Sequence, residues 1–351
     1  MNIPAEWLPW VWFGGKLFVA LNLLVGLVPV LIIMERRISA FIQGRYGPNR
    51  VGPFGLLQPV ADVVKFIMKE EIIPKDADKY IFAVAPLLTF LPPALGFVVI
   101  PWGNRIGDEY LQVANLPIGL LFVMSVISVG VYGITLGGWS SNNKYSLLGS
   151  LRASAQIISY ELSLGLCILL VVMMTGTIDP RAVVQFQVEH GWNILGGASW
   201  WGLPCGLVGF VLFYTCSLTE NNRLPFDLSE CEAELVGGYH TEYSSMKFAM
   251  FFMGEYMAMT LMSALMTTLF LGGWYFPGIT DPADHSWFGG ILSVTVFMSK
   301  VMFLLFTTIW IRWTLPRFKY DQLMNLGWKT FLPISLVNVA AMAIIGVYLG
   351  G

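Results

Sequence analysis

The sequence predicts an all-α polytopic membrane protein with eight transmembrane helices and an amphipathic helix on the cytoplasmic side. Hydrophobic residues make up 56% of the chain and charged residues 12%, whereas soluble domains carry about 25% charged residues. Eight apolar stretches are long enough to cross a hydrocarbon core of roughly 30 Å. Because lipid cannot satisfy exposed backbone groups, each of these stretches is predicted to be a helix.

The predicted spans follow one another along the whole chain. They lie at 11–34, 80–101, 116–138, 153–176, 199–219, 248–274, 289–313 and 328–349. No cleaved signal peptide is expected, because no basic segment precedes the first span. We therefore predict a single integral membrane domain over 1–351, with an amphipathic connection at 35–79 and an acidic loop at 220–247.

Lysine and arginine are distributed unevenly between the two sides of the predicted bundle. The connections after spans one, three, five and seven, counted with their span ends, hold sixteen of the twenty basic residues. By the positive-inside rule this side faces the cytoplasm, or its organelle equivalent. Eight spans then place both termini on the opposite side.

The first connection contains the predicted amphipathic helix. In GLLQPVADVVKFIMKEE the apolar residues recur at helical spacing, and Asp62, Lys65 and Lys69 lie largely on the other face. This pattern is typical of a helix at the membrane surface. The helix is either a plain interfacial anchor or one wall at the mouth of a cavity on the lipid side.

The densest group of acids runs from the end of the fifth predicted span into the sixth, on or beside membrane segments. Seven carboxylates occur there: Glu220, Asp227, Glu230, Glu232, Glu234, Glu242 and Glu255. Carboxylates beside hydrocarbon are costly and usually functional, and a mutually repelling set can hold or pass protons near neutral pH. A solvated acidic loop is the alternative. Because Ser229 and Glu232 fit a capping box, Glu232 is either a helix cap or a member of the acidic set.

Three ionisable residues are predicted to lie deeper in the membrane than the charges at the span ends: Glu161 in the fourth span, Glu255 in the sixth and Lys300 in the seventh. Each is expected to face protein or water rather than lipid. Two acids against one lysine leave an excess of acid, which indicates a proton or charge relay. A structural ion pair between Lys300 and one of the acids is the alternative.

The sequence contains no motif that would hold a redox cofactor or a metal. Its four cysteines form no C-x-x-C pair, and its three histidines are scattered outside the predicted spans, so a bis-His haem site is not expected. Nor does it contain a Walker A motif or a dinucleotide fingerprint. We expect no catalytic redox centre in this chain, and any redox role therefore requires a partner.

Two long segments are distinctive: GLLQPVADVVKFIMKE, from Gly55 to Glu70, and PFDLSECEAELVGG, from Pro225 to Gly238. They resemble the two signatures of one membrane subunit of respiratory complex I, the H-type subunit of bacteria and subunit 1 of mitochondria. The resemblance extends through ERRISAFIQGRYGPNRVGP and WIRWTLPRFKYDQLM. It covers nearly the whole chain.

The resemblance implies a function and a set of partners. In that family quinone is the substrate and takes electrons from an iron–sulfur cluster, so iron–sulfur clusters and FMN are expected only in partner subunits. The implied partners are the peripheral-arm subunits, the adjacent small and antiporter-like membrane subunits, and membrane lipids, but not nucleic acid. The implied location is a bacterial cytoplasmic (inner) membrane, with the mitochondrial inner membrane as the alternative.

The resemblance also implies two groups of site residues. The quinone tunnel or chamber group is Arg36, Arg45, Asp62, Phe226, Arg312 and Arg317. The acidic path to the proton pumps is Glu161, Glu220, Asp227, Glu230, Glu234 and Glu255, to which the residue patterns above add Glu232 and Lys300.

Together these expectations describe the quinone-site subunit of a proton-translocating NADH:quinone oxidoreductase. Two other functions stay open: the membrane subunit of a related hydrogenase complex, and a stand-alone proton or cation transporter. A transporter is expected to show paired repeats with broken helices, and the sequence shows no internal repeat.

Overall fold

Long helices make up most of the structure, a computed structural model that describes residues 8–197, 200–228 and 236–349. The helices are α1 (Leu8–Ile42), α2 (Gln58–Met68), α3 (Lys79–Phe97), α4 (Gly119–Ser140), α5 (Lys144–Thr175), α6 (Pro180–His190), α7 (Leu203–Glu220), α8 (Ser245–Phe270), α9 (Trp287–Thr314), α10 (Tyr320–Leu326) and α11 (Leu332–Leu349). A hairpin of β1 (Arg105–Ile106) and β2 (Glu109–Tyr110) follows α3. A short π-helical segment, Gly327–Phe331, joins α10 to α11.

The described part of the chain contains eight helical segments long and apolar enough to cross a membrane. They are α1, α3, α4, α5, α7, α8, α9 and the continuous segment from α10 to α11. The predicted fold class is confirmed, and α2 forms between the first two spans as expected. We call the side with α2 and the α7–α8 connection the near side, and the side with the β-hairpin and α6 the far side.

Two helices extend well beyond the spans predicted for them. Helix α1 continues to Ile42 rather than ending at 34, so Glu35 and Arg36 lie on the helix. Helix α5 begins at Lys144 rather than 153, because the side chain of Asn143 caps it by accepting from the backbone N–H of Tyr145. Hydropathy places a span end at the first charges, whereas a helix ends where a turn or a cap interrupts it.

Helix α8 is the centre of the bundle. In its most apolar stretch 67% of residues are buried, against 17% for the last span. Helix α3 packs between α8 and α4, and a Cβ on Gly254 would lie 2.9 Å from the carbonyl oxygen of Thr89. A Cβ on Gly133 of α4 would lie 2.8 Å from the backbone nitrogen of the same Thr89. Small residues therefore let three helices approach closely beside Glu255.

Candidate functional site

A buried group of charges joins four parts of the chain toward the near side of the bundle. We call it the charge cluster; it consists of Glu35, Arg223, Glu255, Tyr256 and Arg312. The Arg223 guanidinium lies 2.5 Å from Glu255 Oε1 and 3.6 Å from Glu35 Oε2. The Tyr256 hydroxyl donates to Glu35 Oε2 at 2.5 Å, and Arg312 pairs with Glu35 Oε1. Two carboxylates and two arginines therefore balance one another across α1, α8, α9 and the loop after α7.

Arg223 is the central cation of the charge cluster. Its side chain is only 2% exposed, and its Cζ lies 4.5 Å from the ring centroid of Tyr256. Burial disfavours the charged form, yet Glu255, Tyr256 and Glu35 hold the pKa of this guanidinium well above its ordinary value. Arg223 therefore stays positively charged and stabilises the ionised form of the acids around it.

Two further acids, Glu161 and Glu220, lie inside the bundle but outside the charge cluster. Glu161 of α5 accepts a hydrogen bond from the Ser128 hydroxyl of α4 and is close enough to repel Glu220. Oε2 of Glu220 is buried and has no hydrogen-bond partner among the described residues. Within the described ranges neither acid makes an ion pair. No described cation therefore holds Glu161 or Glu220 in its ionised form, and each can gain or lose a proton.

A cavity of about 80 Å³ lies between Glu255 of the charge cluster and Glu220. Glu255 and Glu220 both line it, together with Asn221, Asn222 and Tyr239. One ordered water needs about 10–15 Å³ of such space and two to four polar partners, and this cavity offers both. Water held there would link the two carboxylates by hydrogen bonds.

The predicted tunnel residues lie on the near side but in separate places. Arg36 and Asp62 form an ion pair of 2.7 Å that joins α1 to α2. Phe226 is buried and stacks on Phe318, with ring centroids 5.6 Å apart. Arg45 is exposed and donates to the side chain of Gln43.

The predicted acidic path divides in the same way. Asp227 lies 3.3 Å from Arg317 of the α9–α10 connection, whereas Glu255 belongs to the charge cluster and lines the cavity together with Glu220. Glu161 lies near Glu220 but does not line the cavity. The predicted residues Glu230, Glu232 and Glu234, and the capping box that starts at Ser229, fall outside the described residues.

Lys300 lies at the opposite end of α8 from the charge cluster. Its ammonium group donates to the carbonyl oxygens of Leu271, Gly273 and Tyr275 at 2.6, 3.0 and 2.6 Å, and lies 4.8 Å from the Trp192 ring centroid. It makes no ion pair with any described residue. The sequence left open an ion pair between Lys300 and an intramembrane acid. The structure shows hydrogen bonds to backbone carbonyls instead.

Sequence reasoning missed several residues that hold the site together. Glu35 was assigned to a connection because the predicted span ended before it. Arg223 was not among the predicted site residues. Gln156 gave no signal, although its buried amide donates to the carbonyl oxygens of Thr219 and Phe226 at 3.1 and 2.9 Å. It ties the loop after α7 to α5, which carries Glu161.

The eight spans and the buried charge cluster define an integral membrane protein with ionisable groups inside the bundle. The family model described as NADH dehydrogenase matches residues 15–343. The chain is 48% identical to an H-type subunit of NADH-quinone oxidoreductase from Cytophaga hutchinsonii, over 87% of this chain and 88% of that protein. It is 45% identical to subunit 8 of the same enzyme from Rhodothermus marinus, over 96% and 98%.

The H-type subunit from Rickettsia bellii is 46% identical over 95% of this chain and 94% of its own length. The chain belongs to this family, the H-type membrane subunits of respiratory complex I. The resemblance in the two signature segments is thereby confirmed. So is the prediction of an integral inner-membrane protein, since the eight spans and the bacterial relatives agree.

Proposed function

We propose that this chain is the quinone-site membrane subunit of a proton-translocating NADH:quinone oxidoreductase. Membership of the H-type family makes it a subunit of that enzyme complex, with other complex I subunits as its partners. The observation that carries the finer proposal is the series of ionisable groups from the near-side charge cluster, through the cavity, to Glu220 and Glu161. Such a series suits the transfer of charge between a substrate site and a distant pump.

The near-side ends of α1, α2 and α8 suit the entrance of a quinone. Helix α2 exposes a row of apolar side chains, including Val60, Ile67 and Met68, which are 59%, 62% and 81% exposed. An isoprenoid tail fits such a surface, and the Arg36–Asp62 pair beside it supplies polarity for a headgroup. The ring would then reach the iron–sulfur cluster of a peripheral-arm subunit that covers the near side.

Quinone reduction changes charge close to this site. Conversion of quinone to quinol takes two electrons, which the partner's cluster supplies, and two protons. In this proposal the charge cluster responds first, because Glu255 and Glu35 share Arg223 and a change at either alters the balance. The cavity then passes a proton or a charge shift to Glu220 and on to Glu161, whose charges no described cation neutralises.

Glu161→Gln tests the proposal, because it keeps the hydrogen bond with Ser128 and removes the ionisable group. We expect the complex to assemble, and quinone reductase activity and proton translocation in reconstituted vesicles to fall together by about tenfold or more. Electron transfer to artificial hydrophilic acceptors should persist. The matched control is Glu71→Gln, whose side chain is 46% exposed and pairs with Lys247; it should keep wild-type rates.

Wild-type turnover and pumping in Glu161→Gln would remove this residue from the path. Loss of the artificial-acceptor activity as well would indicate failed assembly, which subunit content on a native gel reveals. Glu220→Gln then provides the second test, because Glu220 lies at the end of α7 beside the same cavity.

A further inference from the structure

A polar pocket of about 330 Å³ opens on the far side of the bundle, away from the charge cluster. Its walls come from three segments: the connection 98–118, helix α6 and the loop 271–286. The residues that matter here are Arg105, Tyr110, Gln112, Arg181, Glu189 and His285. Small-molecule sites commonly have volumes of about 300–1,000 Å³, so this pocket is large enough to hold a ligand.

Two arginines enclose one tyrosine ring in this pocket. Cζ of Arg105 lies 3.9 Å, and Cζ of Arg181 lies 3.7 Å, from the ring centroid of Tyr110. Two planar guanidinium groups this close to one centroid have no room on the same face, so they cover opposite faces. Tyr110 therefore holds two cations at a fixed separation, through cation–π contacts.

Both arginines keep donors for another partner. A guanidinium has five N–H groups; Arg181 uses Nε and Nη2 on Oε1 of Gln112 at 3.0 and 2.8 Å, and Arg105 uses Nη2 on the Tyr110 hydroxyl. Neither arginine makes an ion pair within the described ranges. Burial lowers the pKa of Arg181, Asp179 raises it and Arg105 lowers it again. The two cations therefore repel each other, and a bound anion would relieve that repulsion.

The inner walls of the pocket are fixed by hydrogen bonds of their own. Gln112 is 3% exposed and donates to the carbonyl oxygen of Val99 at 2.6 Å. Asn104 donates to the carbonyl oxygen of Pro282 at 3.2 Å, which joins the first segment to the third. A site held in place before binding loses less entropy when the ligand arrives.

The rim of the pocket carries the opposite charge. The carboxylate residue Glu189 is exposed and lines the same pocket as the two arginines. A simple anion would gain nothing from it, whereas a ligand with both a phosphate and an ammonium group would match both signs. The pocket also lies at the level of the span ends, where Trp287 and Phe288 are 66% and 74% exposed, as is typical of aromatic residues at a membrane interface.

We propose that this pocket binds the headgroup of a phospholipid that carries an ammonium group, with its phosphodiester on Arg105 and Arg181 and its ammonium at Glu189. The phosphodiester is charged at both neutral and mildly acidic pH, and the guanidinium fork matches its paired oxygens. Binding there would fix the hairpin, α6 and the loop 271–286 to one lipid of the far leaflet.

Cryo-electron microscopy of the whole purified complex tests this, in nanodiscs of phosphatidylethanolamine, of phosphatidylglycerol, or of both in equal amounts. We expect headgroup density with two acyl chains in the wild-type pocket when phosphatidylethanolamine is present. The Arg105→Gln/Arg181→Gln variant should lose it. Glu189→Gln should keep a lipid but lose the preference for phosphatidylethanolamine in the mixed nanodiscs. Asp108→Asn, which removes an exposed acid of the hairpin that does not line the pocket, should behave like wild type.

Three outcomes would overturn the proposal. They are compact density that vanishes in phosphate-free buffer, a partner side chain that fills the pocket, and equal occupancy by the two lipids in the wild-type complex. If the double arginine variant does not assemble, the lipid preference of Glu189→Gln in the mixed nanodiscs tests the proposal. This variant changes one exposed side chain and keeps both arginines.

Discussion

The two ends of helix α8 satisfy buried charge in different ways. At the near end, Glu255 and Tyr256 meet ionisable partners beside a cavity. At the far end, the last backbone carbonyls accept hydrogen bonds from Gln187 at 2.8 Å, Asn193 at 2.7 Å and Lys300. Fixed dipoles cannot change their charge, whereas carboxylates can. The far end of α8 is therefore held by fixed hydrogen bonds, whereas the near end carries groups that can change their charge.

The largest effect is expected from Arg223→Gln at the near end. Removing this cation leaves Glu35 and Glu255 facing each other without their shared partner, and breaking a buried pair from one side costs about 3–5 kcal/mol. We expect a large drop in the melting temperature of the purified complex and loss of quinone reductase activity. The double variant Arg223→Gln/Glu255→Gln should recover part of the stability, because it also removes one of the stranded charges. Equal melting temperatures for the single and double variants would contradict this pairing.

Lys300→Met tests the far end. Methionine keeps the apolar stem but leaves three carbonyl oxygens without their donor, and an unsatisfied buried polar group costs about 1–3 kcal/mol. We expect lower thermal stability with an unchanged ratio of protons pumped to quinone reduced in the complexes that assemble. Lys16→Met is the matched control, because Lys16 pairs with a single carboxylate, Glu109, that is 42% exposed, and it should destabilise the complex less than Lys300→Met. Wild-type stability with lost pumping would instead assign Lys300 to the relay.

Asp62→Asn tests the entrance near the charge cluster and should have a smaller effect. The Arg36 side chain is 42% exposed, and exposed pairs contribute about 0.2–1 kcal/mol. Quinone reductase activity should therefore fall by up to about fivefold, while electron transfer to hydrophilic acceptors is retained. Lys65→Gln, an exposed residue of the same helix, should leave both activities unchanged. Equal loss of both activities in Asp62→Asn would indicate an assembly defect rather than a tunnel defect.

The smallest effect concerns the pH dependence of the near-side loop. Burial lowers the pKa of His240 from 6.5 to about 4, although Asp227 raises it. Between these values the unfolded chain binds a proton that the folded chain does not, so stability falls as pH drops below about 6.5. The loss should reach only about 1 kcal/mol at pH 6. Melting temperatures at pH 7.5 and pH 6 should differ less in His240→Gln than in wild type; an unchanged difference would refute this assignment.

The outline of the fold was predictable because it depends on local properties. A stretch that crosses lipid has to be long, apolar and helical, so all eight spans and α2 were found. The exact ends were not, since Glu35 reads as the start of a connection although α1 continues to Ile42. The acids Glu161 and Glu255 were identified because charge inside a span is conspicuous in any sequence, and Glu220 because it begins the acidic loop.

The sequence did not predict which groups pair with those charges. Glu35 and Arg312 pair across 277 positions of the chain, and Lys300 was as well suited to an acid as to the carbonyls that it binds. Which groups meet depends on helices that approach closely at Gly254 and on a loop held by Gln156. The sequence by itself determined the class of protein, the number of spans and which ionisable residues lie in or beside them. Only the tertiary structure decided which charges neutralise each other, because pairing depends on distances in space that local hydrophobicity does not encode.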